Sequence, residues 1–267
     1  MRKIALLLDI GNTRSKYILT SNNDTSIDGL ALQVIAHTKL KQGLTNLQAD
    51  LASAKMHVQS IVICNVSSLE ILQMWETFFL KILPDISIQQ FTASQRHPQL
   101  INQYQPITHL GHDRWAALFG AHQKAPEGNF LVVNSGTACT IDYVNQAHQF
   151  VGGWIIPGMD LMFESLGKKT AQLPQLHAMD APPPNSFFGD NTQDAIFQGV
   201  IHAQLGAIQL AMMHTEPQTL LITGGNAQAL ANRLPTLLRP AQQCMVAPLL
   251  VLEGLHHWLQ LQEQKES

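Results

Sequence analysis

The chain has 267 residues, of which 45% are hydrophobic and 13% charged, a composition that can bury a substantial core and excludes a disordered protein. Its net charge of −3, without a cluster of Lys and Arg, excludes a general electrostatic attraction to nucleic acid. We find no apolar run of the roughly 20 residues that a membrane span needs. The three cysteines have no paired spacing, which indicates reduced thiols and predicts a cytoplasmic protein.

The first predicted element is a buried strand over residues 4–8, which leads through Asp9 into a glycine turn. Gly11 lets the backbone turn without a Cβ, so that amide N–H groups can approach the oxygens of a phosphate. Strand character resumes at Tyr17, which predicts a hairpin whose turn carries Asn12, Thr13 and Lys16. Such turns are also common in ordinary hairpins, so this motif alone leaves a plain turn and a phosphate loop equally open.

Strands and helices alternate over the next segment. A helix with leucines at helical spacing precedes a buried strand over residues 60–66, and a second helix at about 69–82 precedes a short strand near 86–91. This alternation is typical of an α/β domain.

Residues 104–112 form a predicted loop, marked by proline and glycine, that leads into a helix beginning at Asp113. Asp113 can be a simple helix cap with Arg114 as its surface partner, and the segment taken alone favours that interpretation. The functional alternative is a carboxylate that accepts a proton from a substrate hydroxyl, with Arg114 supplying positive charge for a phosphate or carboxylate.

A second strand–turn–strand motif spans residues 131–142 and repeats the design of the first. An apolar run breaks at Gly136 and Thr137 and then resumes as a strand. Backbone amides and the Thr137 hydroxyl can donate to a phosphate at this corner. Two such corners, about half the chain apart, favour two domains.

Two more glycine bends follow strands in the second half of the chain. Residues 157–158 are Pro-Gly after a strand, and residues 224–225 are Gly-Gly after a buried strand over 219–223, where an adenine or ribose can lie against bare backbone. Between these bends a long helix over residues 193–214 begins near Thr192, which can cap the helix and still contact a ligand.

Five motifs occur in one fixed order: residues 9–13 (Asp-Ile-Gly-Asn-Thr), 111–114 (Gly-His-Asp-Arg), 136–138 (Gly-Thr-Ala), 152–153 (Gly-Gly) with 157–158 (Pro-Gly), and 223–227 (Thr-Gly-Gly-Asn-Ala). Together they resemble type III pantothenate kinase, a bacterial family of the acetate and sugar kinase, Hsp70 and actin superfamily, over nearly the whole chain. The resemblance implies an α/β fold of two ribonuclease-H-like (actin-like ATPase) domains with the active site in the cleft between them. We place the domains at residues 1–118 and 119–267.

The resemblance also implies an activity, which is the ATP-dependent phosphorylation of pantothenate to 4'-phosphopantothenate at the start of coenzyme A biosynthesis. The implied cofactors are ATP, Mg²⁺ and a monovalent cation, K⁺ or NH₄⁺. The implied partners are pantothenate and a second copy of the chain in a homodimer, with neither nucleic acid nor a membrane.

Family roles carry over to individual residues by the same resemblance. Asp113 matches the catalytic base, Asp9 would orient Mg²⁺ through water, and Asn134 stands where the family usually has an Asp associated with the monovalent cation. The implied ATP-binding residues are Asp9, Ile10, Gly11, Asn12, Thr13, Arg14, Ser15, Lys16 and Thr137. The implied substrate-binding residues are Tyr104, Gly111, His112, Asp113, Arg114 and Thr192, the last of them acting across the dimer.

Two alternatives stay open at this point. One is a kinase or phosphatase of the same superfamily that acts on another small hydroxylated substrate, although the segment at residues 111–114 argues against the sugar kinases. The other is a non-catalytic regulatory relative of the same fold. Retention of Asp9, Asp113 and Arg114 argues against lost catalysis, whereas Asn134 leaves room for it.

Overall fold

The computed structural model describes residues 4–21, 24–53, 57–169, 187–234, 238–240 and 242–266. Over these ranges the strands are β1 (Ile4–Ile10), β2 (Arg14–Ser21), β3 (Gln33–Ala36), β4 (Val58–Asn65), β5 (Ser87–Phe91), β6 (Ile101–Asn102), β7 (Phe130–Ser135), β8 (Ala138–Val144), β9 (Gln149–Pro157), β10 (Thr219–Thr223) and β11 (Gln243–Val246). The α-helices are α1 (Leu40–Ser53), α2 (Leu69–Ile82), α3 (His112–Lys124), α4 (Met159–Lys169), α5 (Thr192–Thr215), α6 (Ala227–Ala231) and α7 (Leu250–Glu266).

The described residues divide into two compact units. Unit 1 takes its residues from 1–100, 105–124 and 249–267, and unit 2 from 101–104 and 125–248. This division differs from the predicted domain boundary after residue 118, because α3 continues to Lys124 within unit 1 and α7 returns to unit 1.

Two glycines explain why α7 belongs with α3. A Cβ on Gly254 would lie 1.8 Å from the carbonyl oxygen of Ala116, and a Cβ on Gly120 would lie 2.4 Å from that of Leu250. The two helix backbones therefore approach more closely than any side chain at these positions would allow. The contact joins segments that the whole of unit 2 separates in sequence, so no local pattern reveals it.

Each unit is built on one sheet, and the two sheets share a topology. The strand order is β3-β2-β1-β4-β5 in unit 1 and β11-β10-β7-β8-β9-β6 in unit 2. β1 is antiparallel to β2 and parallel to β4, as β7 is antiparallel to β8 and parallel to β10. The repeat inferred from the glycine corners is thus a repeat of structure, and the prediction of an α/β chain with two domains is confirmed.

Burial in unit 1 follows from the sequence of β1, a continuous apolar strand. Leu6 and Leu8 pack in one core cluster with Trp75 and Phe79 of α2, and α7 also contacts the strand. Because the middle of β1 is covered in this way, only the polar residues at its end can reach a ligand.

The long helix α5 supplies much of the core of unit 2, packing through Ile196, Ile201 and Ile208 against β7 and β8. By length and composition α5 could also cross a membrane, and 50% of its most apolar window is buried. Polar residues such as His202 and Gln204 interrupt this stretch of the sequence, so it contains no continuous apolar run of that length. The core helix of a globular unit passes the same test, so this finding is weak evidence for a membrane span.

Candidate active site

The first glycine corner lies between β1 and β2 of unit 1. The amide of Gly11 donates a hydrogen bond of 3.1 Å to the carbonyl oxygen of Arg14, which closes a tight hairpin turn. Asn12, Thr13 and Arg14 are exposed at its tip, where they can reach a ligand. Two other predicted ATP-binding residues differ from them, because the side chains of Ile10 and Ser15 are fully buried and only their backbone groups can reach a nucleotide.

Asp9 is the half-buried last polar residue of β1, and it lies opposite Lys16 in the β1–β2 pairing. Burial raises the pKa of Asp9 to about 7; the Lys16 ammonium group opposes this rise, and the Asp113 carboxylate adds to it. Asp113 and Lys16 must both lie near Asp9 to act on its carboxyl group. The structure therefore brings the beginning of α3 beside the first glycine corner, within unit 1.

Asp113 lies in the first turn of α3, as predicted, and its carboxylate accepts a hydrogen bond from the backbone of the next residue. Its Oδ1 accepts a hydrogen bond of 2.8 Å from the amide of Arg114. A Cβ on Gly111 would lie 2.8 Å from the same oxygen, so glycine leaves room for the carboxylate. Nδ1 of His112 accepts a hydrogen bond of 3.1 Å from the amide of Ala93, which fixes the ring against the segment after β5.

Arg114 overturns one interpretation of this segment. Its side chain is only 5% exposed, so it is not the surface partner of a capping aspartate. A buried guanidinium group requires hydrogen-bonding partners to offset the loss of water. Arg114 is thus part of the interior of unit 1 at the base of α3.

Two predicted substrate residues, Tyr104 and Thr192, lie in unit 2 rather than unit 1. The Tyr104 ring stacks on Phe150 with a centroid distance of 5.9 Å and an interplanar angle of 2°. Thr192 is the first residue of α5, but the side chain that caps this helix is Asn191, whose Oδ1 accepts a hydrogen bond of 3.0 Å from the amide of Asp194. The prediction that Thr192 is the cap was wrong by one residue, because Asn and Thr are both favoured caps.

The second glycine corner joins β7 to β8 in unit 2, and two other glycine bends converge on it. The amide of Gly158 donates to the carbonyl oxygen of Thr137 at 3.0 Å. A Cβ on Gly158 would lie 2.1 Å from the carbonyl oxygen of Gly136, and one on Gly224 would lie 2.4 Å from that of Ser135. Gly224 also has φ of +94°, in the region that favours glycine. Three segments that the sequence analysis singled out separately thus form one backbone cluster.

Polar groups surround this cluster. Thr137 is exposed, and Asn134 lies half-buried at the end of β7 with its Oδ1 beside Gly224. Below the corner, Gln204 of α5 is fully buried; it accepts a hydrogen bond of 3.2 Å from the Ser135 hydroxyl and donates one of 3.1 Å to the Pro157 carbonyl oxygen. Sequence reasoning missed Gln204, although a glutamine within an apolar helical stripe is a readable signal.

The residues around Asp9 fit a magnesium ion that arrives with a nucleotide. Among the described residues, no group of three or more His, Cys, Asp or Glu side chains could hold a metal by itself. Mg²⁺ characteristically binds through one or two carboxylates together with waters and substrate phosphates. Asp9 suits this role, because a nearby cation would offset the burial and the Asp113 charge that disfavour its ionised form.

The sequence of the chain matches a known protein family and curated relatives. A family model described as type III pantothenate kinase matches residues 5–214. A protein from Herminiimonas arsenicoxydans with the same description is 34% identical over 259 residues, covering 94% of this chain and 95% of the relative.

Two solved structures share the fold at low sequence identity. A protein from Campylobacter jejuni, assigned to the Baf family of transcriptional activators, aligns with a TM-score of 0.59 and 22% identity over 97% of this chain and 99% of that one. The activator of 2-hydroxyisocaproyl-CoA dehydratase from Clostridium difficile, solved with bound ADPNP, aligns with a TM-score of 0.51 and 12% identity over 100% and 98%. These likenesses concern the fold alone, and they confirm the two-domain actin-like architecture that the sequence resemblance implied.

Proposed function

The chain belongs to the type III pantothenate kinase family, and from this premise we propose that it transfers the γ-phosphoryl group of ATP to the hydroxyl group of pantothenate. The product is 4'-phosphopantothenate, and the reaction is the first step of coenzyme A biosynthesis. The observation that carries the proposal is that Asp113 and Lys16 each act on the carboxyl group of Asp9, which puts a candidate base beside a candidate phosphate loop.

Phosphoryl transfer makes modest chemical demands on a protein. The phosphates must be fixed, their charge must be offset, and the acceptor hydroxyl must be aligned for in-line attack. In the proposed site, Asp113 accepts the proton of the pantothenate hydroxyl as that oxygen bonds to the γ-phosphorus, while the bond from the γ-phosphorus to the bridging oxygen breaks and ADP leaves. His112 and Gly111 position Asp113, and the buried Arg114 adds positive charge to this end of α3.

The first glycine corner is the proposed phosphate loop. Its exposed tip offers the side chains of Asn12, Thr13 and Arg14 and the bare backbone of Gly11, and Lys16 adds an ammonium charge. Asp9 would hold Mg²⁺ through water, and the ion would neutralise charge on the phosphate oxygens. Thr137 of the second corner provides a further contact to ATP in this proposal.

A monovalent cation, K⁺ or NH₄⁺, and a second copy of the chain complete the proposed assembly. Asn134 keeps one carbonyl oxygen as a cation ligand but lacks the charge of an aspartate. Thr192 lines an apolar groove of about 580 Å³ between α4 and α5, and we propose that Tyr104 and Thr192 contact pantothenate, Thr192 across a homodimer. A cytoplasmic location fits the fully buried thiols of Cys64 and Cys139.

A coupled ADP-release assay with pantothenate, ATP, Mg²⁺ and K⁺ tests the proposal, and Asp113→Asn is the matched variant. An asparagine keeps the oxygen that accepts from the Arg114 amide, so the local fold is retained while the base is removed. We expect the variant to lose roughly 10²–10⁴-fold in kcat with little change in nucleotide affinity. Near-normal turnover by the variant would refute the base assignment, and turnover only with another hydroxylated compound would refute the substrate.

A further inference from the structure

We propose that His37 is a positioning residue that holds the first glycine corner in the geometry needed to bind ATP phosphates. This inference rests on the proposed function, because it requires residues 11–16 to act as a phosphate loop. His37 itself touches no proposed ligand; it acts through the backbone and side chain of the loop.

Two hydrogen bonds tie His37 to the loop. His37 begins the 3-10 turn His37–Lys39 directly after β3, and its backbone amide donates to the carbonyl oxygen of Thr13 at 3.0 Å. Its Nε2 lies 3.1 Å from the hydroxyl oxygen of Ser15. One residue thus holds the loop at positions 13 and 15, through its backbone amide and through its ring.

The direction of these hydrogen bonds follows from the third partner, Trp75. The indole Nε1 lies 3.1 Å from the Ser15 oxygen, and an indole N–H can only donate. The Ser15 oxygen therefore accepts from Trp75, and its own proton is free to be donated to Nε2 of His37. In a neutral ring that accepts this proton at Nε2, the ring's own proton lies on Nδ1.

This arrangement is a directed relay from the core to the tip of the loop. It runs from Trp75, which is fully buried, through Ser15, also fully buried, to the half-buried His37, whose backbone amide binds the carbonyl oxygen of the exposed Thr13. Each donor in the relay has one acceptor and the ring adopts a single tautomer, so the relay fixes the loop in one conformation. A loop that is ordered before ATP arrives does not lose that conformational entropy on binding.

A purely structural role for His37 would affect ATP and pantothenate alike, so the test separates the two substrates. His37→Ala removes the ring contact with Ser15 but retains the backbone bond to Thr13, and His37→Asn keeps a shorter side chain with an oxygen that can accept from Ser15. His57→Ala is the matched control, because His57 is an exposed histidine before β4 with no part in the relay. The two measurements are KM for each substrate in the kinase assay and the Kd for a non-hydrolysable ATP analogue with Mg²⁺ by calorimetry.

We expect His37→Ala to raise KM for ATP and the analogue Kd by up to about tenfold, the effect of losing one hydrogen bond. KM for pantothenate should stay within about twofold, and His37→Asn should recover part of the ATP affinity. Ser15→Ala should raise the same constants, and the double variant should add little to either single one, because all three interrupt one relay.

Analogue affinity that is unchanged in a folded His37→Ala variant would overturn the inference, as would an equal rise in both KM values. If His37→Ala does not fold, His37→Asn and Ser15→Ala carry the same test. Calorimetry also separates this inference from the proposed function, because a protein that binds the nucleotide through the relay but does not phosphorylate pantothenate would refute only the substrate. A wild-type chain that binds no nucleotide would refute both.

Discussion

The two glycine corners occupy equivalent places in two sheets of the same topology, yet they are held in different ways. In unit 1 the corner is a single hairpin, and it is stabilised by hydrogen bonds of the Ser15 and His37 side chains. In unit 2 the corner is made of three chain segments whose glycine backbones approach so closely that no side chain fits. The comparison teaches that added atoms will disrupt the second corner, whereas lost hydrogen bonds will loosen the first.

The largest expected effect comes from adding one methyl group to the second corner. Gly224→Ala would place a Cβ 2.4 Å from the Ser135 carbonyl oxygen at a residue with φ of +94°, so we expect a loss of roughly 3 kcal/mol or more of stability. Gly225→Ala is the control, since a Cβ there meets nothing within 4 Å. Urea denaturation of the two variants measures the difference, and equal midpoints would contradict the account of the second corner.

Removing the hydrogen bonds that Gln204 makes beneath the second corner should have a smaller effect on stability. Gln204→Leu leaves the buried Ser135 hydroxyl and the Pro157 carbonyl oxygen without their partner, at a cost of about 1–3 kcal/mol. Gln209→Leu is the matched change on an exposed face of the same helix and should be nearly neutral. Thermal denaturation compares them, and a stable Gln204→Leu protein would show that glycine packing alone holds this corner.

The same methyl addition should be tolerated in the first corner. A Cβ on Gly11 would lie 3.3 Å from the Arg14 carbonyl oxygen, a contact that a shift of a few tenths of an ångström relieves. We expect Gly11→Ala to change stability by no more than about 1 kcal/mol, because the reduced entropy of the unfolded chain partly offsets the contact. A loss as large as that of Gly224→Ala would remove the contrast between the corners.

The smallest expected effect is the pH dependence of stability that His37 contributes at the first corner. Burial lowers the pKa of His37 below its usual value of 6.5, and the hydrogen bond to the Asn12 backbone opposes this shift. A lowered folded-state pKa gives stability that is present above pH 6.5 and is lost as the pH falls through the folded-state value. The difference in unfolding free energy between the wild type and His37→Asn should therefore shift against the wild type as the pH falls from neutral to acidic. Parallel curves would show that His37 does not titrate with unfolding.

Sequence reasoning found both corners because their signals are local. An apolar run, a glycine and polar residues within a few positions identify a strand that ends in a turn. It also placed Asp113 at a helix beginning, but it favoured a surface position for Arg114, which is buried. The burial of Arg114 depends on segments distant in sequence, and a charged residue at a helix beginning carries no local signal of it.

The hydrogen bonds that support the two corners also could not be predicted from the sequence. Ser15 and Trp75 are 60 positions apart, and Ser135 and Gln204 are 69 apart, so only the folded chain brings them together. A lone histidine after a short edge strand has no pattern that marks it as a loop support. The return of α7 to unit 1 escaped prediction for the same reason, since a glycine in a helix gives no indication of the backbone that will pack on it.

The packing of α7 on α3 also sets an order of events during protein synthesis. Residues 125–248 of unit 2 leave the ribosome as one stretch, whereas unit 1 needs residues 249–266, which emerge later. Domains generally fold as units while the chain is made. We therefore expect the nascent chain to present an unfinished unit 1 for the whole time that unit 2 is translated, with the apolar surface around Ala116 and Gly120 open to chaperones until α7 arrives.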